Sequence, residues 1–139
     1  MSSPTPEQVW AELQGFVEAH AVRKRLRERL GTAMGTGGGK VKLLLLLESS
    51  ALSHGEVAEA LGVDRPYTTV LVNALEEQGL VERRTDSDDR RRKLVALTEQ
   101  GRRTVSDARE VIDTPPAALD RLSPAELTSL SKILAKLHG

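Results

Sequence analysis

LGVDRPYTTVLVNALEEQGLVERR, residues 61–84, is the stretch on which the fold turns. Its centre reads as a helix, because Thr68, Leu71, Val72 and Leu75 stand at i, i+3, i+4 and i+7, the spacing of one buried face. Arg65, Pro66, Tyr67, Thr69, Val70 and Asn73 are then left pointing outward. Asp64 is placed to cap this helix by accepting a first-turn amide, and Pro66 suits the first turn, where an N–H has no helical partner. Gly79 ends it.

Upstream, Ser53-His54-Gly55-Glu56 has capping-box spacing and predicts a short helix to Leu61, with Val57 and Leu61 inward and Gly62 as its stop. Two short helices separated by a glycine turn make a helix-turn-helix signal. Before them, VKLLLLL (residues 41–47) carries five leucines without β-branching and predicts a short buried helix. GTAMGTGGGK (31–40) is a connector by composition. It is not a phosphate-binding loop: Met34 stands at that motif's first glycine and Val41 at its closing Ser or Thr.

Downstream, residues 80–84 form a strand candidate, 85–90 a polar turn, and 91–97 a second alternating strand with Val95 and Leu97 on one face. An arginine-rich ribbon directly after a helix-turn-helix is a wing. From Thr98 a further helix carries Val105, Ala108 and Ile112 until Pro115-Pro116 stops it. LSPAEL (122–127) combines a capping box, a first-turn proline and a Leu–Leu staple, and Leu127, Leu130, Leu134 and Leu137 give the last helix its stripe. At the other end, residues 7–30 read as one long helix. Its first stripe is Val9, Leu13, Phe16 and Val17; a rotated one follows at Val22, Leu26 and Leu30. Such a helix is expected to pack both on its own body and on a partner chain.

Composition narrows the function classes. Aromatics are 2% of 139 residues, so the core must be Leu, Val and Ala, which favours helices. Twenty basic residues cancel twenty acidic ones, so the net charge says nothing of nucleic acid. The distribution says more: between residues 83 and 93, Arg83, Arg84, Arg90, Arg91, Arg92 and Lys93 outnumber Asp86, Asp88 and Asp89. A second cluster, Arg23, Lys24, Arg25, Arg27 and Arg29, reads as a solvated face. Without cysteine, disulfides and thiolate chemistry are excluded. His20, His54 and His138 share no metal-ligand spacing, and no acid, base or nucleophile set converges, so neither metal, cofactor nor catalysis is expected. The N-terminus has no signal-peptide pattern and the longest apolar run, 43–47, is too short for a bilayer, so a soluble cytoplasmic protein is the expectation.

Residues 61–84, together with DDRRRKLVALTEQG (88–101) and LSPAELTSLSKILAKL (122–137), resemble the MarR family of transcriptional regulators. The likeness covers roughly residues 41–137 and is looser in the first helix. Its most specific part is Asp89, Arg91, Val95, Leu97 and Thr98. It implies a mainly α fold with a small two- or three-stranded β wing, a winged helix-turn-helix with N- and C-terminal dimerisation helices. The expected plan is one domain: an N-terminal helix in 1–31, a glycine-rich loop in 32–40, the winged helix-turn-helix in 41–98 and C-terminal helices in 99–139. The resemblance further implies a homodimer on a palindromic double-stranded DNA operator that represses or activates nearby genes, with a repressor as the expectation, and that in this family is often released by a small-molecule effector. By the same likeness Asp89 supports the wing by orienting an arginine, while Arg90 or Arg91 enters the minor groove. The expected DNA-binding set is Arg65, Pro66, Tyr67, Thr69, Val70, Asn73, Arg90 and Arg91.

The residues support this set independently. Positions 65, 69 and 73 lie about one turn apart on one face, as reading the major groove requires. Arg65 suits guanine or phosphate, Asn73 adenine, Thr69 phosphate and Val70 a thymine methyl. Guanidinium is drawn to the negative potential of a narrow minor groove. The competing account is plain solvent exposure for Asn73 and Thr69, and ion pairing with Asp86, Asp88 or Asp89 for one of the two wing arginines. Three features depart from the family: Val70, the glycine-rich loop, and the scarcity of aromatics for a ligand pocket, with Trp10 and Phe16 read as dimer packing. The alternative is a winged helix serving only as a protein-interaction module, since fold does not fix function.

Overall fold

The computed structural model describes residues 2–35 and 38–139; Thr36 and Gly37, within the glycine-rich connector, lie outside the described residues. The chain divides into two compact units, Ala21–Ile112 and Met1–His20 with Asp113–Gly139.

The larger unit begins with α2 (Val22–Leu30), preceded in the chain by α1 (Pro6–Ala19) of the other unit. A 3-10 turn at Thr32–Met34 follows, then α3 (Gly39–Leu46), α4 (His54–Leu61), α5 (Arg65–Glu77), β1 (Val81–Thr85), β2 (Lys93–Leu97) and α6 (Glu99–Asp113). Leu43, Leu44, Val57, Val72, Leu75, Val81 and Val95 are essentially cut off from solvent and form its centre, with Leu26 and Leu30 of α2 packed against them. Each such side chain stabilises by about 1.5–3 kcal/mol relative to exposure. Thr68 is the one buried polar side chain among the described residues, and its hydroxyl donates to the Asp64 carbonyl at 3.0 Å.

Local signals place the helix ends. Ser53 and Glu56 form the reciprocal capping box of α4, Gly62 turns left-handed at φ 68°, and the Asp64 carboxylate accepts the Tyr67 N–H at 2.7 Å to start α5. β1 and β2 run antiparallel in register from Val81↔Leu97 to Thr85↔Lys93. Leu52 adds a one-residue bridge to Val95, bonded both ways at 3.0 and 2.7 Å, so the ribbon has two strands and a stub of a third. Thr98 caps α6: its hydroxyl accepts the Gly101 N–H at 3.0 Å and donates to the Gly79 carbonyl at 2.6 Å.

The smaller unit holds α1, a 3-10 turn at Ala117–Arg121 and α7 (Pro124–His138). Ser123 and Glu126 make the expected capping box of α7, and those hydrogen bonds hold the Glu126 carboxyl below its ordinary range. One expectation needs correcting. Residues 7–30 are not a single helix: α1 and α2 are interrupted at His20 and Ala21. The two apolar stripes explain the break, because the first lies in the smaller unit while the second, with Leu26 and Leu30, packs into the core of the larger one.

Neither α1 nor α7 contains a buried residue. Val9, Trp10, Leu13, Phe16 and Val17 on α1, and Leu127, Ile133, Leu134 and Leu137 on α7, all remain exposed, Trp10 by 61% and Leu137 by 70%. Apolar surface of that extent is unusual for a finished monomer.

Candidate nucleic-acid interface

The buried face of α5 dictates what its opposite face displays. Thr68, Leu71, Val72 and Leu75 are all buried, which turns Pro66, Thr69, Val70 and Asn73 to solvent. Arg65 and Tyr67 are exposed on the flanks. The Arg65 guanidinium lies over Gly55 of α4 and makes no hydrogen bond or ion pair among the described residues. Tyr67 leans the other way, with its hydroxyl against Gly39 at the start of α3. The Thr69 hydroxyl is returned to its own helix, donating to the Arg65 carbonyl at 3.1 Å. Val70 presents a bare apolar surface, 62% exposed.

Asn73 is not a free amide. Arg83 of β1 donates from Nη2 to Asn73 Oδ1 at 2.7 Å and from Nη1 to the Glu76 carboxylate. Sequence reasoning had counted Arg83 only as part of a basic cluster. No local period links residues ten apart on a helix and a strand; the turn at Gly79 brings them together.

The wing is built from short-range bonds. The Asp86 N–H donates to the Arg92 carbonyl and the Arg92 N–H to the Asp89 carbonyl, each at 2.9 Å. The Asp88 N–H donates to Asp86 Oδ1 at 2.9 Å. Within this loop the two arginines that sequence could not separate differ. Asp89 Oδ1 accepts from the Arg91 N–H at 3.1 Å and from Arg91 Nε at 3.3 Å, while the Arg91 side chain stays 93% exposed. Arg90 has no ion pair among the described residues. So close and open a pair holds an orientation rather than adding much stability.

Arg92, which carried no assigned role, anchors the wing instead. Its guanidinium contacts the Glu56 carboxylate of the α4 capping box and lies 3.6 Å from Asp86. Arg84 pairs with Glu82 and Lys93 donates to Thr85, each at 2.8 Å.

His54, in the first turn of α4, is half-buried beside this surface. Burial first, then the positive charges of Arg83 and Arg65, push its pKa below 6.5, with only Glu76 opposing. A base with a lowered folded pKa leaves the unfolded chain to bind the proton first as pH falls. The fold should therefore lose stability as pH drops below 6.5, until folded His54 itself protonates. Urea unfolding on either side of that pH should show the loss in the parent and a smaller one in His54→Gln. Equal pH dependence in both would refute the assignment.

A separate pocket of about 150 Å³ lies wholly within the larger unit. Leu26, Met34, Val41, Leu45 and Ile112 line it, with Arg23, Arg27 and Lys42 also at its walls. Among the described residues, no group of three or more His, Asp or Glu converges to hold a metal, and no helix is long and apolar enough to cross a membrane.

A helix-turn-helix whose second helix turns polar side chains outward, followed by an arginine-bearing ribbon, defines a winged helix-turn-helix protein. Residues 39–92 match the model of the MarR family. Solved structures share the fold. A mutant of MepR from S. aureus is 21% identical over 96% of both chains, with a TM-score of 0.80. RV1404 from Mycobacterium tuberculosis is 20% identical over 99% of this chain and 95% of its own, with a TM-score of 0.82. YusO from Bacillus subtilis is 22% identical over 97% and 98%, with a TM-score of 0.72. MepR is a transcription regulator of the Staphylococcus aureus multidrug efflux pump MepA.

Proposed function

We propose that this chain is a cytoplasmic, sequence-specific double-stranded DNA-binding repressor that acts as a homodimer on a palindromic operator. The observation that carries the reading is the pairing of an outward α5 face, Arg65 to Asn73, with a wing whose Arg90 and Arg91 stand open to solvent. Helix and ribbon of this kind suit the major and adjacent minor groove respectively. MepR, which shares the fold at 22% identity, has been solved as a DNA complex. Within the wing, Arg91 is assigned to the minor groove. Asp89 holds its Nε, so the two terminal nitrogens are presented outward as a fixed fork. Arg65, Pro66, Thr69, Val70 and Asn73 face the major groove, and Tyr67 lies at its edge.

The exposed stripes of α1 and α7 give the dimer its driving force. At about 25 cal/mol per Å² of apolar area, their burial against a second copy stabilises both units. Effector release is assigned to the pocket beside Met34 and Ile112. Its apolar lining with Arg23, Arg27 and Lys42 suits an organic anion. MepR has been solved with ethidium, a cation, so the two proteins would differ in ligand charge.

The test is selection from a random duplex pool at two salt concentrations. Enrichment of an inverted repeat with half-sites about one helical turn apart supports the reading. A folded dimer that enriches nothing at low salt overturns it, in favour of a protein-interaction module.

A further inference from the structure

We infer that Arg83 is a positioning residue for base recognition: it orients the Asn73 amide and is not itself a phosphate contact. The inference rests on the DNA-binding reading above. Asn73 stands near the middle of the outward face of α5, and Glu76 follows three residues later on the same side of the helix. Arg83 reaches both from β1, one terminal nitrogen on Asn73 Oδ1 at 2.7 Å and the other on the Glu76 carboxylate. Its side chain is only 33% exposed and Glu76's 42%.

An unrestrained asparagine amide presents its oxygen and nitrogen in either of two orientations related by a flip. A guanidinium can only donate, so Arg83 admits one of them, with the oxygen toward itself and the NH2 directed away. Asparagine that recognises adenine must offer donor and acceptor in a defined order to N7 and N6. Fixing the order before DNA arrives selects which edge the amide can read and removes the entropy of choosing. Glu76 completes the device. It cancels the charge of Arg83, and Arg83 in turn neutralises a carboxylate that would otherwise face the phosphates. Because the pair is internally neutral, its removal should leave the electrostatic part of binding almost unchanged.

The prediction distinguishes this arginine from those of the wing. In the double variant Arg83→Met with Glu76→Gln, one positive and one negative charge are lost together. Base-resolved duplex binding, read at several salt concentrations, should keep the parent's salt slope. Discrimination at one base pair in each half-site should collapse from about 10- to 100-fold to a few-fold, the range expected of a single oriented amide. Asn73→Ala should lose discrimination at that same pair. Adding the Arg83/Glu76 changes to Asn73→Ala should then do nothing more, because the effect runs through the amide. Unchanged thermal unfolding of the double variant supports an effect on recognition rather than on folding.

A uniform weakening on all sequences, with the salt slope reduced by about one per protomer, would make Arg83 a phosphate contact and overturn the inference. So would a loss of preference at a base pair that Asn73→Ala leaves untouched. Parent protein that shows no salt-sensitive duplex binding brings down the DNA-binding reading, and this inference with it.

Discussion

Replacing Arg90 and Arg91 together by alanine is expected to weaken duplex binding by about 100-fold at moderate salt, across all sequences. Neither side chain is buried, and among the described residues their one side-chain partner is Asp89, so the folded state should hardly register the change. The loss falls on counterion release. A dimer would forfeit four cations, and the slope of log K against log salt should flatten by up to about 4. The single variants should not be equal. Arg91, held by Asp89 with its fork outward, should account for the larger share, and Asp89→Asn should reproduce part of it by freeing that fork. Duplex titrations at several salt concentrations measure all four variants. Parent-like binding and slope in the double variant would remove the wing from the interface.

Gly101→Ala is expected to destabilise the larger unit by about 3 kcal/mol, or to prevent folding, because the added carbon overlaps backbone rather than a pliable side chain. A Cβ at residue 101 would overlap the Leu80 carbonyl oxygen and lie 3.0 Å from its carbon, with Leu97 Cδ2 at 3.3 Å behind it. That carbonyl accepts the Thr98 N–H at 3.1 Å, and Thr98 is the cap of α6. Moving α6 away to relieve the overlap would break the junction between α6 and the turn that follows α5. Gly15 provides the control. Nothing lies within 4 Å of a Cβ there, so Gly15→Ala should be neutral or stabilise α1 by about 0.5–1 kcal/mol. Chemical denaturation of both variants decides the point. A Gly101→Ala protein as stable as the parent would show that α6 docks on the turn differently.

Much of the architecture was legible because its causes are local. Capping boxes at Ser53 and Ser123, the Asp64 cap and the left-handed Gly62 and Gly79 involve residues within a few positions of one another. The α5 face was legible for the same reason: four core positions at helical spacing leave the remaining ones outside. The two-stranded wing followed from alternation alone.

Other features have no local cause. Arg92 meets Glu56 across 36 positions, and Arg83 meets Asn73 across ten, so no period in the chain announces either pair. Even the break at His20 and Ala21 was hidden, since helix propensity runs on through it. By itself, then, the sequence determined which segments are helix or strand, where they stop wherever a cap or a glycine marks the end, and which face each must bury, because hydrogen bonds and side-chain periods act over one or two turns. The tertiary structure alone decided that one long helix becomes two, that Arg92 anchors the wing on Glu56, that Arg83 holds the Asn73 amide, and that Gly101 leaves no room for a methyl group. Those outcomes depend on which surfaces are pressed together, and that is settled only when a shared core forms and brings distant residues within bonding range.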